Sequence, residues 1–271
     1  MLPPFLQNIE INDGFDLLVI LRQHYNVGDK QSWWWPSFLS LRVENGIEIN
    51  GAAQIEMDLS LCFAAILGQN TKYEYAATSL SNLYMFFYNN LTKNLNDDIH
   101  LYSNYPNPQL TQIAQPHYQD LILKQLANLL PQDIMPLIRI SGFYQQKATR
   151  LVALAKNIIK DFETFHNFSL HVTKEWLLSQ KGIGLESASS ILNYALKREE
   201  MVVDSYTQRL LGHCGLLFDD YHSMQDFLTQ NLYRASDLYG DMPLAQVMAR
   251  FHGKIVECSK QYKLAKLTYL R

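Results

Sequence analysis

Residues 176–209, WLLSQKGIGLESASSILNYALKREEMVVDSYTQR, decide how this chain is read. Apolar residues lead into a Gly-x-Gly turn, and beyond it Ala188, Ile191, Leu192 and Ala195 recur at helical spacing. The stretch therefore predicts a helix, a four-residue hairpin at 181–184 and a second helix. Gly182 and Gly184 let main chain approach a partner closely, while Ile183 anchors the turn between its two helices. Backbone N–H groups at the start of the second helix, where the dipole favours negative charge, suit a duplex phosphate, and Lys181 adds charge beside them. Contacts of this kind position DNA without choosing a sequence.

Asp204 stands twenty residues beyond Gly184, in VVDSYTQR. Asp-Ser-Tyr-Thr has the form of a helix cap and would hold a carboxylate at a helix start. Taken alone, a capping aspartate with no further duty is the plainer reading. At this point the chain resembles the helix-hairpin-helix DNA glycosylases, the superfamily of endonuclease III, and within it the 3-methyladenine glycosylase branch found in epsilon-proteobacteria. The resemblance rests on six blocks in order, WWWP, LGQNTKYE, SGFYQQKA, QKGIGLESA, MVVDSYTQ and FHGKIVE, over roughly residues 30–93 and 131–262. GIG alone would be a weak signal.

The 271 residues suffice for one large or two modest packed domains. A net charge of -3 does not advertise DNA binding, but it averages unlike regions. Arg139, Lys147, Arg150, Lys156 and Lys160 fall in 137–160 without an acid, and 250–271 carries basic residues against Glu257 alone. These stretches are either local phosphate footprints or ordinary solvated helix faces. Cys62, Cys214 and Cys258 are too widely spaced for a zinc finger or a disulfide framework, and three cysteines cannot build the four-cysteine iron-sulfur cluster that many endonuclease III relatives carry. No apolar run reaches membrane-spanning length and the first residues lack a signal-like core, so the cytoplasm is the expected location.

Helical patterning is expected at 13–25, 57–69, 80–91, 118–130, 147–159, 207–214, 223–232 and 243–267. Residues 92–116, rich in Asn, Asp, Tyr and Pro, read as an exposed connection, and 94–130 as an insertion of unreadable purpose. Three adjacent tryptophans, Trp33 to Trp35, cannot all face one way, so at least one ring is free for a pocket unless the block is simply packing. The resemblance implies that Trp34 and Trp35 enclose a flipped base, with Trp34 the stacking plate, and that Tyr73 faces that wall. Gln69 would enter the gap left by the extruded nucleotide; bonding a helix end is its other reading. Phe143 or Tyr144 could fill minor-groove space beside that gap, or form a core turn between helices. Lys254 would approach the base pocket, where a free ammonium repels a cationic base; a carbamate would restore an acceptor, and a salt bridge or phosphate contact is the alternative.

The resemblance implies an all-α, two-lobed helix-hairpin-helix glycosylase fold, with 1–56 plus 204–271 as one lobe and 57–203 as the other. It implies a monofunctional enzyme that excises 3-methyladenine and other alkylated purines, with Asp204 as the catalytic carboxylate and Lys181, Gly182, Ile183 and Gly184 on the DNA backbone. Glu186 occupies a place where bifunctional relatives carry lysine, and a carboxylate cannot form their imine. No metal and no required cofactor are implied, apart from a monovalent cation at the hairpin's contact with DNA. The expected partners are duplex DNA carrying an alkylated base and a downstream abasic-site endonuclease, with the chain monomeric. A broader-specificity or bifunctional glycosylase and a noncatalytic DNA-binding scaffold are the competing readings.

Overall fold

A computed structural model describes residues 2–27, 58–94 and 116–265. By their contacts these form two units, a terminal unit of 2–27 with 192–265 and a hairpin unit of 58–94 with 116–191. In chain order the helices are α1 (Gly14–His24), α2 (Leu59–Leu67), α3 (Tyr73–Asn94), α4 (Pro116–Asn128), α5 (Pro131–Ile138), α6 (Tyr144–Phe162), α7 (Phe165–His171), α8 (Lys174–Ser179), α9 (Leu185–Ser190), α10 (Ser205–His213), α11 (Tyr221–Thr229), α12 (Ser236–Tyr239) and α13 (Leu244–Gln261). No strand occurs among the described residues, and the fold is all-α as expected. None of the described helices is long and apolar enough to cross a membrane.

In the hairpin unit, α6 packs against α4 and α5 through an apolar face that includes Leu151, Leu154 and Ile158. Helix α4 lies inside the interval that the sequence left unread, yet it is core: Ile122, Leu123 and Leu126 are buried, and two of its polar side chains cap other helices. Gln119 Oε1 accepts from the Leu59 N–H at 2.7 Å at the start of α2, and Asp120 Oδ1 accepts from the Phe165 N–H at 2.7 Å at the start of α7. The expected exposed connection therefore ends at Pro116, and residues 95–115 lie outside the described chain. Helix α3 starts at Tyr73, seven residues before the expected Leu80, because the chain breaks at Asn70, in the left-handed region at φ 50°, and then turns straight into helix.

The second hairpin helix does not run on regularly as its spacing predicted. Helix α9 gives way to a π turn at Ile191–Ala195, and residues 191–196 are buried all round. Asn193 Nδ2 donates to the Arg198 carbonyl at 3.0 Å and the Ala245 carbonyl at 2.9 Å, bonds that tie this turn into the terminal unit. The division between units accordingly falls at 191/192, ahead of the 203/204 boundary read from the sequence. In the terminal unit α1 packs on α11 and α13, with Leu17, Leu18, Leu228, Phe251 and Ile255 in one apolar core. Gly14 sits at the closest approach, where an added Cβ would lie 1.9 Å from the Leu228 carbonyl oxygen.

Each unit also buries a lysine. Lys147 donates from Nζ to the Leu67 carbonyl at 2.8 Å and the Ser141 carbonyl at 2.7 Å, while Lys254 donates to the Tyr25 carbonyl at 2.6 Å and the Val27 carbonyl at 3.3 Å. Both ammonium groups satisfy carbonyls where a helix ends.

Two stability predictions follow from this packing. Gly14→Ala is expected to lower the unfolding free energy by about 3 kcal/mol in denaturant titration, because backbone, not a movable side chain, blocks the methyl. Lys147→Met keeps the apolar stem but strands two buried carbonyls, an expected loss of about 2 kcal/mol or more. Burial, followed by the charge of Arg150, pushes the Lys147 pKa down to about 8. The unfolded chain, with its lysine near ~10.4, then binds more protons than the folded one between those values, so the stability advantage of wild type over Lys147→Met should widen as pH rises across that window.

Candidate functional site

In the hairpin unit, Thr173 opens α8 by accepting from the Trp176 N–H at 3.2 Å, and Trp176 packs edge-on against Phe162 and Phe168. The turn that follows places Lys181 and Gly184 on the surface and buries Ile183, as expected of an anchored hairpin. Its two glycines serve different ends. Gly182 has φ +85°, and a Cβ there would meet Arg150 Nε at 2.1 Å, so the fold itself requires glycine. Gly184 has ordinary extended backbone with open space where its Cβ would be, and it caps α9 without a side-chain bond. Among the described residues nothing requires Gly184 to be bare.

Gln69 is turned into this hairpin. Its Nε2 donates to the Gly182 carbonyl at 2.8 Å and to Ser187 Oγ at 2.9 Å, and its Oε1 accepts from Arg150 Nη1 at 2.6 Å. Filling a gap in DNA would require these three bonds to be exchanged. Phe143 is 63% exposed and held at φ 47°, ψ 29°, a left-handed conformation that costs a bulky residue energy, whereas Tyr144 is half-buried. Beneath it, Ser141 Oγ donates to the Ile138 carbonyl at 2.7 Å and the Ser141 carbonyl accepts from Lys147, so the turn is pinned while the phenyl ring projects. Tyr73 is half-buried in the first turn of α3. Glu186 is exposed in the first turn of α9.

In the terminal unit, Asp204 caps α10. Its Oδ1 accepts from the Tyr206 N–H at 2.9 Å, the Thr207 N–H at 2.8 Å and Thr207 Oγ1 at 3.0 Å. Its Oδ2 faces His252 Nε2 at 3.4 Å, and His252 Nδ1 meets the hydroxyl of Tyr194. Burial works to raise the Asp204 pKa, but the charge and bonding of His252, with the N–H and hydroxyl of Thr207, outweigh it and hold the carboxyl below its ordinary value. The group is thus an ionised carboxylate that keeps 13% of its side-chain surface open. Lys254, fully buried, donates to two carbonyls of the chain leaving α1, upstream of Trp34 and Trp35, which lie outside the described residues.

The basic stretches carry less surface charge than their composition suggested. Lys147, Arg250 and Lys254 are buried and Arg150 is committed to Gln69, which leaves Arg139, Lys156, Lys160, Lys260 and Lys263 exposed among the described residues. Sequence reading missed His252 and Tyr194. His252 lies in the FHGKIVE block two residues before Lys254, so it was within view, but nothing local marks Tyr194, 58 residues earlier. Among the described residues no three His, Cys, Asp or Glu side chains gather as for a metal ion.

Comparison with known proteins places these features in a lineage. The chain is 36% identical to the Helicobacter pylori 3-methyladenine DNA glycosylase MagIII, whose crystal structure with bound 1,N6-ethenoadenine aligns with a TM-score of 0.70 over 94% of this chain and 100% of that one. It is 30% identical over 145 residues to the putative DNA repair glycosylase MJ1434 of Methanocaldococcus jannaschii, covering 51% of this chain and 62% of the relative. It is 27% identical over 148 residues to endonuclease III of Thermotoga maritima, covering 55% of this chain and 65% of the relative. The matches thus span somewhat less than two thirds of those two curated relatives. A family model described as HhH-GPD superfamily base excision DNA repair protein matches residues 63–232, which takes in the hairpin, its Gln69 and Arg150 supports and the Asp204 cap. With both the hairpin and the carboxylate inside the matched region, the chain belongs to the HhH-GPD superfamily of base excision DNA repair proteins.

Proposed function

We propose that this protein is a monofunctional DNA glycosylase that removes 3-methyladenine and other alkylated purines from duplex DNA, acting in the cytoplasm as a monomer. The observation that carries this reading is Asp204, an ionised and largely buried carboxylate at a helix start, twenty residues beyond a Gly-x-Gly hairpin. The similarity to MagIII, a 3-methyladenine glycosylase holding a modified adenine, supports the choice of substrate class.

On this reading the hairpin meets the DNA backbone through Lys181, Gly182, Ile183 and Gly184, and Gly184 is bare so that main chain can approach phosphate. A monovalent cation at the same contact would draw on main-chain carbonyls, of which that of Gly182 already accepts from Gln69. Phe143 is the better wedge beside the extruded nucleotide, since it projects while Tyr144 is half-buried. The target base leaves the stack, which a lesion that weakens stacking makes easier. Trp34, Trp35 and Tyr73 enclose it, and aromatic faces favour a cationic alkylpurine over its neutral parent by about 1–2 kcal/mol.

The bond from C1′ to the base nitrogen then breaks, its electron pair leaving with the cationic base. Asp204 stabilises the positive charge on the sugar and takes a proton from the water that bonds to C1′. Neither Glu186 nor Lys254 is suited to an imine. Glu186 is a carboxylate, and Lys254 is buried with Nζ on two carbonyls, an arrangement that favours an amine or ammonium over a carbamate, which keeps a single N–H. The abasic product would pass intact to an abasic-site endonuclease.

Duplexes carrying 3-methyladenine, 7-methylguanine, hypoxanthine or uracil test the reading. The expected result is release of the methylated purines, an unbroken abasic strand before alkali treatment, and no protein adduct after borohydride. Release of hypoxanthine or uracil in preference would indicate the broader enzyme; borohydride trapping with strand cleavage would indicate the bifunctional one; binding without release would indicate a scaffold. Asp204→Asn should slow single-turnover release by about 100-fold or more while lesion binding persists. Undiminished turnover would remove Asp204 from the mechanism.

A further inference from the structure

We infer that His252 and Tyr194 are positioning residues for Asp204: the Tyr194 hydroxyl and the carboxylate together fix the His252 ring so that an Nε2–H always faces Oδ2. The inference rests on Asp204 being the carboxylate of the reaction.

Any aspartate at a helix start acquires the bonds made by Oδ1, since the Tyr206 and Thr207 N–H groups belong to the cap itself. Oδ2 is different. It is faced at 3.4 Å by a ring that is 3% exposed, on α13, far along the chain from the cap. A neutral imidazole carries its proton on either nitrogen, and only the Nε2–H form attracts the carboxylate; the other would set a lone pair against it. The carboxylate at Nε2 makes the choice, and the Tyr194 hydroxyl at Nδ1 completes it from the other side of the ring. By donating to Nδ1 the hydroxyl holds the neutral Nε2–H form, and by accepting from Nδ1–H it supports the imidazolium, in which Nε2 is also protonated. In both charge states Asp204 faces a proton.

Tyr194 is itself held. It is 1% exposed in the π turn, its neighbour Asn193 bonds across to the Ala245 carbonyl at 2.9 Å, and Lys197 Nζ donates to the Tyr194 carbonyl at 2.6 Å. Charged groups on the packed elements make contacts of their own. Lys254 is on the Tyr25 and Val27 carbonyls, and the Arg250 guanidinium lies 5.9 Å from the Tyr239 ring. Arg209 bonds Ser205 and stacks 4.5 Å from the Tyr206 ring, and Lys260 lies 5.8 Å from that ring and 3.7 Å from Glu257. Without the ring, burial would act on Asp204 against a weaker opposition, and its carboxyl would protonate at higher pH.

The test has a spectroscopic arm and a kinetic arm. In wild type labelled with 15N-histidine, long-range imidazole correlations should give His252 as the Nε2–H tautomer or the imidazolium; a neutral Nδ1–H tautomer overturns the inference with no variant needed. In single-turnover release of 3-methyladenine, His252→Ala and Tyr194→Phe should move the acid limb of the pH profile up by about one unit, a loss of about tenfold below it. Lesion binding should be unchanged, and His252→Gln, which keeps an N–H donor, should restore much of the rate. Acid limbs that stay in place in folded variants, while Asp204→Asn is inactive, overturn the positioning role alone. A wild type that releases no base from any duplex overturns the glycosylase reading instead, and the labelled ring then still decides the geometry.

Discussion

A charge can remain inside a helical protein only where fixed dipoles take over the work of water, and this chain meets that constraint at Asp204, Lys147 and Lys254. Asp204 receives three donors from the first turn of α10 and a fourth facing group from α13. Lys147 and Lys254 each receive two main-chain carbonyls. The carboxylate is the one of the three that keeps an opening to solvent, and the two ammonium groups stay in the core. The cap that starts α10 and the group assigned the chemistry are therefore the same side chain, so the helix start and the electrostatics of the site cannot be altered independently.

The hairpin couples its internal support to its outward face. Gly182 gives its carbonyl to Gln69 and its side-chain space to Arg150, while among the described residues Gly184 gives its space to nothing. A nucleotide-gap role for Gln69 would begin from a side chain already bonded on both amide atoms, one of those partners lying on the hairpin and another on the helix that follows it. Contact at the hairpin and release of the glutamine would then be linked events, because displacement of the Gly182 carbonyl weakens the bond that holds Gln69 back.

What could be read from the sequence was what is local. Asp204 announces a helix start through the residues that follow it and caps as expected, and the helix read from residue 13 opens with Asp13 as its cap, accepting from the Asp16 N–H at 2.8 Å. The hairpin was legible because its Gly-Ile-Gly lies between two stretches of apolar helical spacing. Helix α4 was legible as a helix but its place in the core was not, since Gln119 and Asp120 matter through helices 60 and 45 residues away in sequence. The π turn escaped because its apolar residues match a regular helix as well, and the departure is held by tertiary bonds from Asn193. Tyr194 and His252 are joined only by the fold.

The buried lysines have a practical consequence. Amine-directed reagents modify lysines that solvent can reach, and an amine whose two partners are main-chain carbonyls becomes reachable only when the chain around it opens. Lys147 lies in the hairpin unit and Lys254 in the terminal unit. Peptide-level labelling at these two positions would follow the opening of each unit separately, so that a ligand or a substitution stabilising one half of the protein could be told from one that stabilises both.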